Sequence, residues 1–459
     1  MIRLEDYKNK NIHFIAIGGH SMCGLAEILH NWGFSDISGS DRSDSDALQR
    51  LKTMGINATV GHSVDNVKNA SLVVYSAAIP VTNVERKYAM ENNIPCIDRG
   101  QMMGLISDAC QKCIGISGTH GKTTTTSMVS EIFYRAKCEP TIHIGGVLPT
   151  IGSNVYTGGR EFFITEACEY VDSYHWLNPY IAIVLNIDSD HLDYFKNMEN
   201  ICASFLKFCN LVSPDGFVVG CYDDERTRNM MEKCDRKTVS YGMNENADYY
   251  AKNIKFNKSG YPEYDMFDKN GFLTHVELSV IGQVNVLNSM AAIISAILCG
   301  ISVEDAVSGV KQYTGAGRRF EFRGEYNGAK IYNDYGHHPE EVAATIEATK
   351  HIEKNRLWLI YQPALFSRTK AQFDRLVDCF HHADKTVLID VYGDREPFDP
   401  TINSKMIVDK IIEKYNDDCI YIPTMEECGA YLKTQLEKDD IVLIMGSGTV
   451  DILDKFILN

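Results

Sequence analysis

Short apolar runs alternate with helical patterns along most of the chain. In the first hundred residues, apolar runs lie at residues 13–17 and 71–79, another ends at residues 39–41, and residues 25–29 have a helical pattern. Strands that alternate with helices in this way predict parallel βαβ units. The N-terminal part of the chain is therefore predicted to form a Rossmann-like sheet.

The alternation continues in the rest of the chain. Apolar runs occur at residues 162–166 and 181–188, a polar and turn-rich stretch at 244–270 predicts a β-insertion, and residues 285–298 predict a helix that Gly300 ends. Further strands are predicted at residues 330–335, 357–360, 385–390 and 441–445.

The composition excludes several classes of protein. The formal net charge of −16 disfavours nucleic-acid partners, which need basic surfaces. Because no apolar stretch is long enough to span a membrane and the first residues lack the apolar region of a signal peptide, we expect a cytoplasmic location. The 14 cysteines are then expected to be reduced thiols. One CxxC, Cys110 to Cys113, is expected to be coincidental because no second pair completes a zinc site.

The strongest chemical signal is a glycine-containing turn between a predicted strand and a predicted helix. The apolar run 113–116 leads into Gly118-Thr119-His120-Gly121-Lys122-Thr123. Backbone N–H groups at such a turn attract phosphate, Lys122 can neutralise its charge, and the Thr123 hydroxyl can ligate Mg²⁺. The glycines lie closer together than in the standard P-loop. We expect an ATP-binding loop; the alternative is a chance turn that caps a helix.

The length of 459 residues allows roughly two to four domains, and the grouping of the strands favours three. We predict an α/β fold with a Rossmann-like domain at residues 1–106, a central P-loop-type domain at 107–317 and a second Rossmann-like domain at 318–459.

Polar residues at predicted strand ends and on one helix extend the candidate ATP site. Glu166 and His191 follow two middle strands, where ligands of α/β sheets bind, and they could converge with Thr123 on Mg²⁺. The alternatives are a surface acid and an ordinary loop histidine. Asn285 and Asn288 share a helix face and could contact an adenine edge, or could cap their helix.

The glycine turn after the first strand is an incomplete dinucleotide fingerprint. It contains Gly18, Gly19 and Gly24, but Ala16 occupies the first glycine position. This spacing supports a diphosphate at a helix N-terminus and does not specify NAD, and Asp41 is well placed to meet a ribose hydroxyl. A tight turn without a ligand is the alternative.

Loops in the last predicted domain also carry polar groups. Arg318 and Arg319 could reach phosphate, although a solvated pair is the alternative. The run Tyr335-Gly336-His337-His338-Pro339 follows a strand, and Arg368 follows the next strand and is suited to hold a carboxylate.

Together these segments resemble the Mur ligases, the ATP-dependent ligases of peptidoglycan synthesis. The resemblance covers nearly the whole chain in the right order, and its most specific part is Asp334-Tyr335-Gly336-His337-His338-Pro339. The stretches that carry it are 15–29, 118–126, 166–169, 186–194, 282–292, 317–322, 334–339 and 362–369.

The resemblance implies an enzyme that uses ATP and Mg²⁺ to join L-alanine to the lactyl carboxylate of UDP-N-acetylmuramate through an acyl phosphate. It implies Lys122, Glu166 and His191 as catalytic residues, with Thr123, Glu166 and His191 holding two Mg²⁺. For the UDP-sugar it implies Gly18, Gly19, Gly24, Ser76 and Arg99. For ATP it implies Gly118, Thr119, His120, Gly121, Lys122, Thr123, Thr124, Asn285, Asn288, Arg319 and Asp334. For the amino acid it implies Tyr335, His337 and Arg368.

The sequence departs from the usual Mur ligase pattern at Ala364-Leu365, where a histidine and a polar or basic residue are usual, and at Val284, where histidine is common. The small residues of the stretch 390–396 also differ. The first departure leaves open a different acceptor, such as another small amino acid or a murein peptide. A non-catalytic nucleotide sensor is a rival function from a different class, and a dehydrogenase is less favoured. The oligomeric state is not determined by the sequence.

Overall fold

The computed structural model describes residues 2–394 and 396–459, so Arg395, in the stretch 390–396, lies outside the described residues. Contacts between Cα atoms divide the chain into two compact units. One contains the chain as far as Lys252 with Met266–Thr274 and Leu287–Gln312. The other contains Asn253–Asp265, His275–Val286 and Tyr313–Asn459.

The N-terminal sheet has five parallel strands in the order β3-β2-β1-β4-β5. The strand order changes direction at β1, and such a point opens a ligand crevice at the carboxyl ends of the strands. The predicted Rossmann-like sheet is confirmed. Its strands are β1 (Ile12–Ile15), β2 (Ile37–Asp41), β3 (Asn57–Val60), β4 (Leu72–Tyr75) and β5 (Cys96–Asp98), and its helices are α1 (His20–Asn31), α2 (Asp46–Thr53), α3 (Val64–Val67), α4 (Val84–Glu91) and α5 (Arg99–Asp108).

The central sheet has ten strands in the order β15-β14-β13-β12-β11-β10-β6-β9-β7-β8. Its strands are β6 (Lys112–Ser117), β7 (Thr141–Leu148), β8 (Ser153–Tyr156), β9 (Phe162–Glu166), β10 (Pro179–Val184), β11 (Phe217–Cys221), β12 (Thr238–Gly242), β13 (Tyr249–Phe256), β14 (Pro262–Asp268) and β15 (Gly271–Glu277). Its helices are α6 (Lys122–Arg135), α7 (Leu192–Phe195), α8 (Met198–Asn210), α9 (Glu225–Glu232), α10 (Val284–Leu298) and α11 (Val303–Gln312). Because β6 pairs in parallel with both β9 and β10, the loops that follow these three strands meet at one edge of the sheet.

The last sheet has six strands in the order β16-β17-β21-β18-β19-β20, and β16 pairs antiparallel with β17. Its strands are β16 (Glu321–Tyr326), β17 (Ala329–Asp334), β18 (Leu357–Tyr361), β19 (Lys385–Leu388), β20 (Cys419–Tyr421) and β21 (Ile441–Met445). Its helices are α12 (Pro339–Thr349), α13 (Phe366–Ala371), α14 (Phe373–Cys379), α15 (Ser404–Tyr415), α16 (Met425–Gln435) and α17 (Leu453–Leu458). Short 3₁₀ segments occur at Leu4–Tyr7, Pro149–Ile151, Tyr170–Trp176 and Val450–Ile452.

The apolar runs form the predicted strands, and the central ones are buried along their whole length. Every residue of β18 and β21 is buried, as expected for parallel strands covered on both faces. The β-insertion is present as β13 to β15, and its third strand lies wholly beyond the predicted limit at residue 270. The domain limits at residues 106 and 317 stay predictions.

Several apolar runs were predicted to be longer strands than they are. The run 13–17 ends as a strand at Ile15, because Ala16 has a positive φ of 65° and begins the turn. The run 71–79, in contrast, was predicted to form a strand and a turn, and both are present: β4 ends at Tyr75, and Ile79 N then donates back to Ser76 O at 2.9 Å. The run 181–188 ends as a strand at Val184, because the backbone after Val184 forms hydrogen bonds with the end of β6 and the loop that follows it. The run 385–390 ends at Leu388.

All 14 cysteines are free. Among the described residues, no helix combines the length and the apolar character that crossing a bilayer requires.

Candidate functional site

The predicted phosphate loop connects β6 to α6, which begins at Lys122. Gly118 has a φ of 140° and Gly121 a φ of 87°, values that side-chain-bearing residues rarely adopt. A Cβ at Gly118 would also lie 3.0 Å from Cβ of Leu185, and one at Gly121 would lie 3.0 Å from Oδ1 of Asn288. Both glycines are thus required by conformation and by close neighbours.

Residues that follow β10 hold this loop in place. His120 N donates to Oδ1 of Asn186 at 2.9 Å, and Nδ2 of Asn186 donates to His120 O at 3.1 Å. Asp188 N donates to Oγ1 of Thr119 at 2.8 Å. These supporting roles of Asn186 and Asp188 were missed from the sequence; the available signal was that both are polar residues at the end of an apolar run predicted to be a strand.

Lys122 lies folded back over the loop. Its Nζ donates to Gly118 O at 2.5 Å, to Thr119 O at 3.1 Å and to Oε1 of Glu169 at 3.0 Å. Burial lowers the pKa of Lys122, but the Glu169 carboxylate outweighs burial, so the pKa is raised and the lysine is charged. The loop therefore presents a fixed positive charge beside its backbone N–H groups.

Glu166 is the last residue of β9, and its carboxylate is fixed by the neighbouring strand β7. Oε1 of Glu166 accepts a hydrogen bond from Gly145 N at 2.7 Å. A Cβ at Gly145 would lie 2.7 Å from the same oxygen, so the close approach depends on glycine. Thr123 lies in the first turn of α6 and is half-buried.

His191 lies on the loop after β10 and has a positive φ of 51°. Its ring centroid is 4.6 Å from that of Tyr170, and its Nε2 is 3.5 Å from Oδ2 of Asp190. One ligand atom from each of Glu169, Asp190 and His191 lies within 4.8 Å of the others. Glu169 and Asp190 were not predicted as site residues, although both lie in the stretches that carry the family resemblance.

The donors around the loop fit a divalent cation. They comprise a hydroxyl, carboxylates and an imidazole, which suit Mg²⁺ when water completes the shell. In addition, Oε2 of Glu169 is buried and has no hydrogen-bond partner among the described residues. That Thr123, Glu166 and His191 hold the metal stays a prediction.

The glycine turn after β1 and the helix that follows it contact charged and polar groups of the N-terminal sheet and of the central sheet. Gly18 N donates to Oδ2 of Asp41 at 3.0 Å. The Arg99 guanidinium donates to Oγ of Ser21 at 3.3 Å, and Nε2 of His143 lies 3.1 Å from the same oxygen. Burial and then Arg99 lower the pKa of His143 to about 4, so this imidazole is neutral at physiological pH. Arg99 is thus brought to the turn, as the diphosphate hypothesis needs.

The other predicted UDP-sugar residues lie nearby in the fold. Gly19 precedes α1, and Ser76 directly follows β4. Gly24 lies inside α1, and a Cβ there would lie 2.5 Å from Cγ2 of Val155. Close packing between α1 and β8 therefore accounts for this glycine, and its contact with a diphosphate stays a prediction.

The asparagines predicted to meet adenine occupy the first turns of α10. Nδ2 of Asn285 donates to Ile281 O at 2.7 Å, while Asn288 is buried and its Oδ1 lies against Gly121. The preceding Val284 is exposed.

In the last sheet, Asp334 ends β17 and organises the loops around it. Its carboxylate accepts hydrogen bonds from Phe320 N at 2.9 Å and Gly336 N at 2.7 Å. Burial raises the pKa of Asp334, while the nearby Arg319 lowers it. The Arg319 guanidinium also lies 5.5 Å from the ring centroid of Tyr335.

The residues predicted to bind the amino acid cluster at the ends of β17 and β18. The rings of Tyr335 and His337 have centroids 5.4 Å apart, and burial lowers the pKa of His337 to about 4. Arg368, on α13, lies close enough to His337 to lower its pKa further. Ala364 is buried and pairs with Tyr392 in an isolated β-bridge, and Leu365 has a positive φ of 67°.

Models of protein families match all three sheets in order. The description "Mur ligase family, catalytic domain" matches residues 11–110, "Mur ligase middle domain" matches 116–296, and "Mur ligase, glutamate ligase domain" matches 318–448. The chain belongs to the Mur ligase family.

Two curated relatives have the same name, UDP-N-acetylmuramate–L-alanine ligase. The protein from Caldanaerobacter subterraneus subsp. tengcongensis is 42% identical and covers 98% of both chains. The one from Acetivibrio thermocellus is 41% identical and covers 97% of this chain and 95% of its own.

Solved structures share the fold. A UDP-N-acetylmuramate-alanine ligase from Thermotoga maritima has a TM-score of 0.82 at 23% identity and covers 98% of both chains. A murein peptide ligase from Psychrobacter arcticus has a TM-score of 0.71 at 21% identity, again with 98% coverage of both.

Proposed function

We propose that this chain catalyses ATP-dependent joining of L-alanine to the lactyl carboxylate of UDP-N-acetylmuramate, an early step of peptidoglycan and cell-wall synthesis. The observation that carries the proposal is the phosphate loop, whose charged Lys122 lies beside acidic side chains at the carboxyl edge of the central sheet. The names of relatives more than 40% identical over nearly the whole chain support the substrates.

The chemistry divides into two steps. The lactyl carboxylate attacks the γ-phosphorus of ATP, which gives an acyl phosphate and ADP. The amine of alanine then adds to the acyl carbon, and the tetrahedral intermediate expels inorganic phosphate as the amide forms and a proton leaves the nitrogen. Positioning and electrostatic stabilisation supply most of the catalysis in such reactions.

The residues of the loop have distinct roles in this proposal. The backbone N–H groups from Gly118 to Thr124 cradle the phosphates, and Lys122 neutralises charge that develops on them. The resemblance to the family assigns Asn285, Asn288, Arg319 and Asp334 to ATP as well. Thr123, Glu166 and His191 would hold Mg²⁺, which neutralises phosphate charge when bound.

The other substrates are assigned to the remaining loops. Gly18, Gly19, Gly24, Ser76 and Arg99 bind the UDP-sugar, and Tyr335, His337 and Arg368 bind the amino acid, with Arg368 holding its carboxylate. Since the proposed substrates are nucleotide-linked precursors, we propose that the enzyme acts in the cytoplasm.

The test is phosphate release by the purified chain with ATP, Mg²⁺, UDP-N-acetylmuramate and a panel of amino acids. We expect release only when all substrates are present, together with a product whose mass is that of the UDP-sugar plus an alanyl residue. Release with a murein tripeptide but not with any amino acid would favour the second candidate, a peptide ligase, which the departure at Ala364-Leu365 motivates. Tight ATP binding without turnover would support a sensor.

A further inference from the structure

Glu169 is a buried carboxylate that the roles proposed above do not use. Its side chain is 3% exposed, and Oε1 forms an ion pair with Nζ of Lys122 at 3.0 Å. Oε2 is buried without a hydrogen-bond partner among the described residues. A buried carboxylate oxygen without a hydrogen-bond partner is costly, so Oε2 of Glu169 would be stabilised by a cation that can reach it.

The surroundings of Glu169 suit a divalent cation. Asp190 and His191 each offer a ligand atom within 4.8 Å of one from Glu169. The side chains of Asp190 and His191 are 22% and 33% exposed, which leaves access for a cation and for water. Two carboxylates and one imidazole form a donor set that Mn²⁺ accepts readily and that Mg²⁺ tolerates.

Lys122 already occupies one side of this carboxylate with a positive charge. A cation bound beside Glu169 would be repelled by the ammonium group, and both would draw on the same negative charge. We propose that Glu169 is a positioning residue that exchanges between two partners: it holds Lys122 on the loop in the nucleotide-free chain, and it joins Asp190 and His191 as a divalent-cation ligand when Lys122 turns to phosphate.

The exchange couples two binding events. Phosphate that attracts Lys122 frees Glu169 for the cation, and a cation on Glu169 frees Lys122 for phosphate. Such coupling is reciprocal, so each ligand strengthens the binding of the other. The inference rests on the proposed function for its setting, but it concerns cation and ADP binding, which are measured without ligation.

The first experiment titrates Mn²⁺ into the nucleotide-free full chain and follows free Mn²⁺ by electron paramagnetic resonance. Glu169→Gln should weaken Mn²⁺ binding at least tenfold, because it removes a charged ligand. Lys122→Met should strengthen Mn²⁺ binding severalfold, because it removes the competing cation. Circular dichroism should show that Lys122→Met is folded, and its gain of affinity then keeps the test decisive if Glu169→Gln is unstable.

The matched control is Glu131→Gln. Glu131 is also buried, pairs with Arg135 in α6 and has an unpartnered buried Oε2, but it lies outside the Glu169–Asp190–His191 cluster. It should bind Mn²⁺ as the wild type does. Unchanged Mn²⁺ affinity in Glu169→Gln, or unchanged or weaker affinity in Lys122→Met, would overturn the proposal.

A second experiment measures ADP affinity in EDTA by calorimetry. Glu169→Gln should bind metal-free ADP several times more tightly than the wild type, because Lys122 no longer has to leave a carboxylate. Equal or weaker ADP binding would count against the exchange. If ligation fails while these binding effects hold, the proposed substrates are wrong and the role of Glu169 stands.

Discussion

At the scale of single residues, the candidate site depends on charged side chains that are paired with neighbouring groups. Lys122 is held by loop carbonyls and by Glu169, and Glu166 is held by a backbone N–H of the next strand. Each pairing fixes a side chain that would otherwise lose rotamer freedom on binding substrate. The consequence is that substitutions here affect both chemistry and stability.

Lys122→Ala should reduce ligation by roughly a hundredfold or more, because it removes a charge that stabilises the transition state. It also leaves the buried Glu169 without its counter-ion, so the melting temperature in EDTA should fall. Glu169→Gln in the same chain should restore the melting temperature but not the activity. Phosphate release and thermal unfolding measure the two effects, and near-normal turnover of Lys122→Ala would refute the phosphate-loop assignment.

Glu166→Ala should raise the Mg²⁺ concentration needed for half-maximal activity, because a charged ligand is lost. His191→Ala should do so more weakly, since a neutral imidazole contributes less to a hard cation. The measurement is a Mg²⁺ titration of phosphate release. If neither titration moves, these strand ends do not hold the metal.

At the scale of elements, neighbouring strands and helices position side chains that each element alone could not. The strand β7 brings Gly145 to Glu166, and α4 brings Glu85 to groups on β2 and α3. These contacts require close approach or full burial, so they are sensitive to small changes of volume or charge.

Gly145→Ala should mimic a partial loss of Glu166. The new methyl group would lie 2.7 Å from Oε1, so the carboxylate must move and the Mg²⁺ requirement should rise. Gly159→Ala is the matched control, because its Cβ would meet only Glu139 O, at an ordinary 3.6 Å. Equal Mg²⁺ titrations for the two variants would show that the position of Glu166 does not depend on Gly145.

Glu85 should make the free energy of unfolding depend on pH in the acid range. Burial opposes its ionisation, but the His13 imidazole, whose Nε2 lies 3.7 Å from Oε2, and hydrogen bonds from Ser40 and Asn66 lower its pKa to about 2. Because the folded pKa is depressed, Glu85 stabilises the fold above its unfolded pKa, and this contribution, of about 3 kcal/mol, is lost as pH falls from about 4.5 towards 2.

The comparison with Glu85→Gln isolates this effect. In denaturant unfolding, the free energy of unfolding of the wild type should exceed that of Glu85→Gln. This difference, the gap in stability, should be largest near neutral pH and should shrink across that acid range. A gap that stays constant with pH would mean that the Glu85 carboxylate is not ionised in the folded chain.

At the scale of the whole molecule, three sheets carry the loops assigned to three substrates. The N-terminal sheet carries the glycine turn with Arg99, the central sheet carries the phosphate loop, and the last sheet carries Tyr335, His337 and Arg368. Ala364 follows β18 of the last sheet and is not among the residues assigned to ATP, so a change there should alter acceptor choice without changing ATP use.

We expect that L-alanine is used and that glycine, L-serine or another small amino acid is used comparably, because Ala364-Leu365 replaces a bulkier, more polar pair. A pocket distinguishes one methylene by only about 1–3 kcal/mol. Ala364→His should sharpen the preference for L-alanine, as measured by kcat/KM for each amino acid at saturating ATP. If the unmodified chain rejects every amino acid except L-alanine, Ala364 lies outside the acceptor site.

The order of elements and the phosphate loop were predictable from the sequence, because both depend on local patterns. Apolar runs of strand length became buried parallel strands, and a turn with Gly118 and Gly121 before a helix start kept its positive φ angles. Strand ends were less predictable: Ala16 leaves β1 early, since no local pattern shows that its φ becomes positive.

Only the tertiary structure decided which polar groups meet. Lys122 and Glu169 are 47 residues apart, and His120 and Asn186 are 66 apart, yet each pair is hydrogen-bonded. They meet because β6 lies between β9 and β10, so the sheet order, and not distance along the chain, determines which strand ends share an edge. The sequence by itself determined the elements and their chemistry; the pairing of their side chains followed from packing the strands into one sheet.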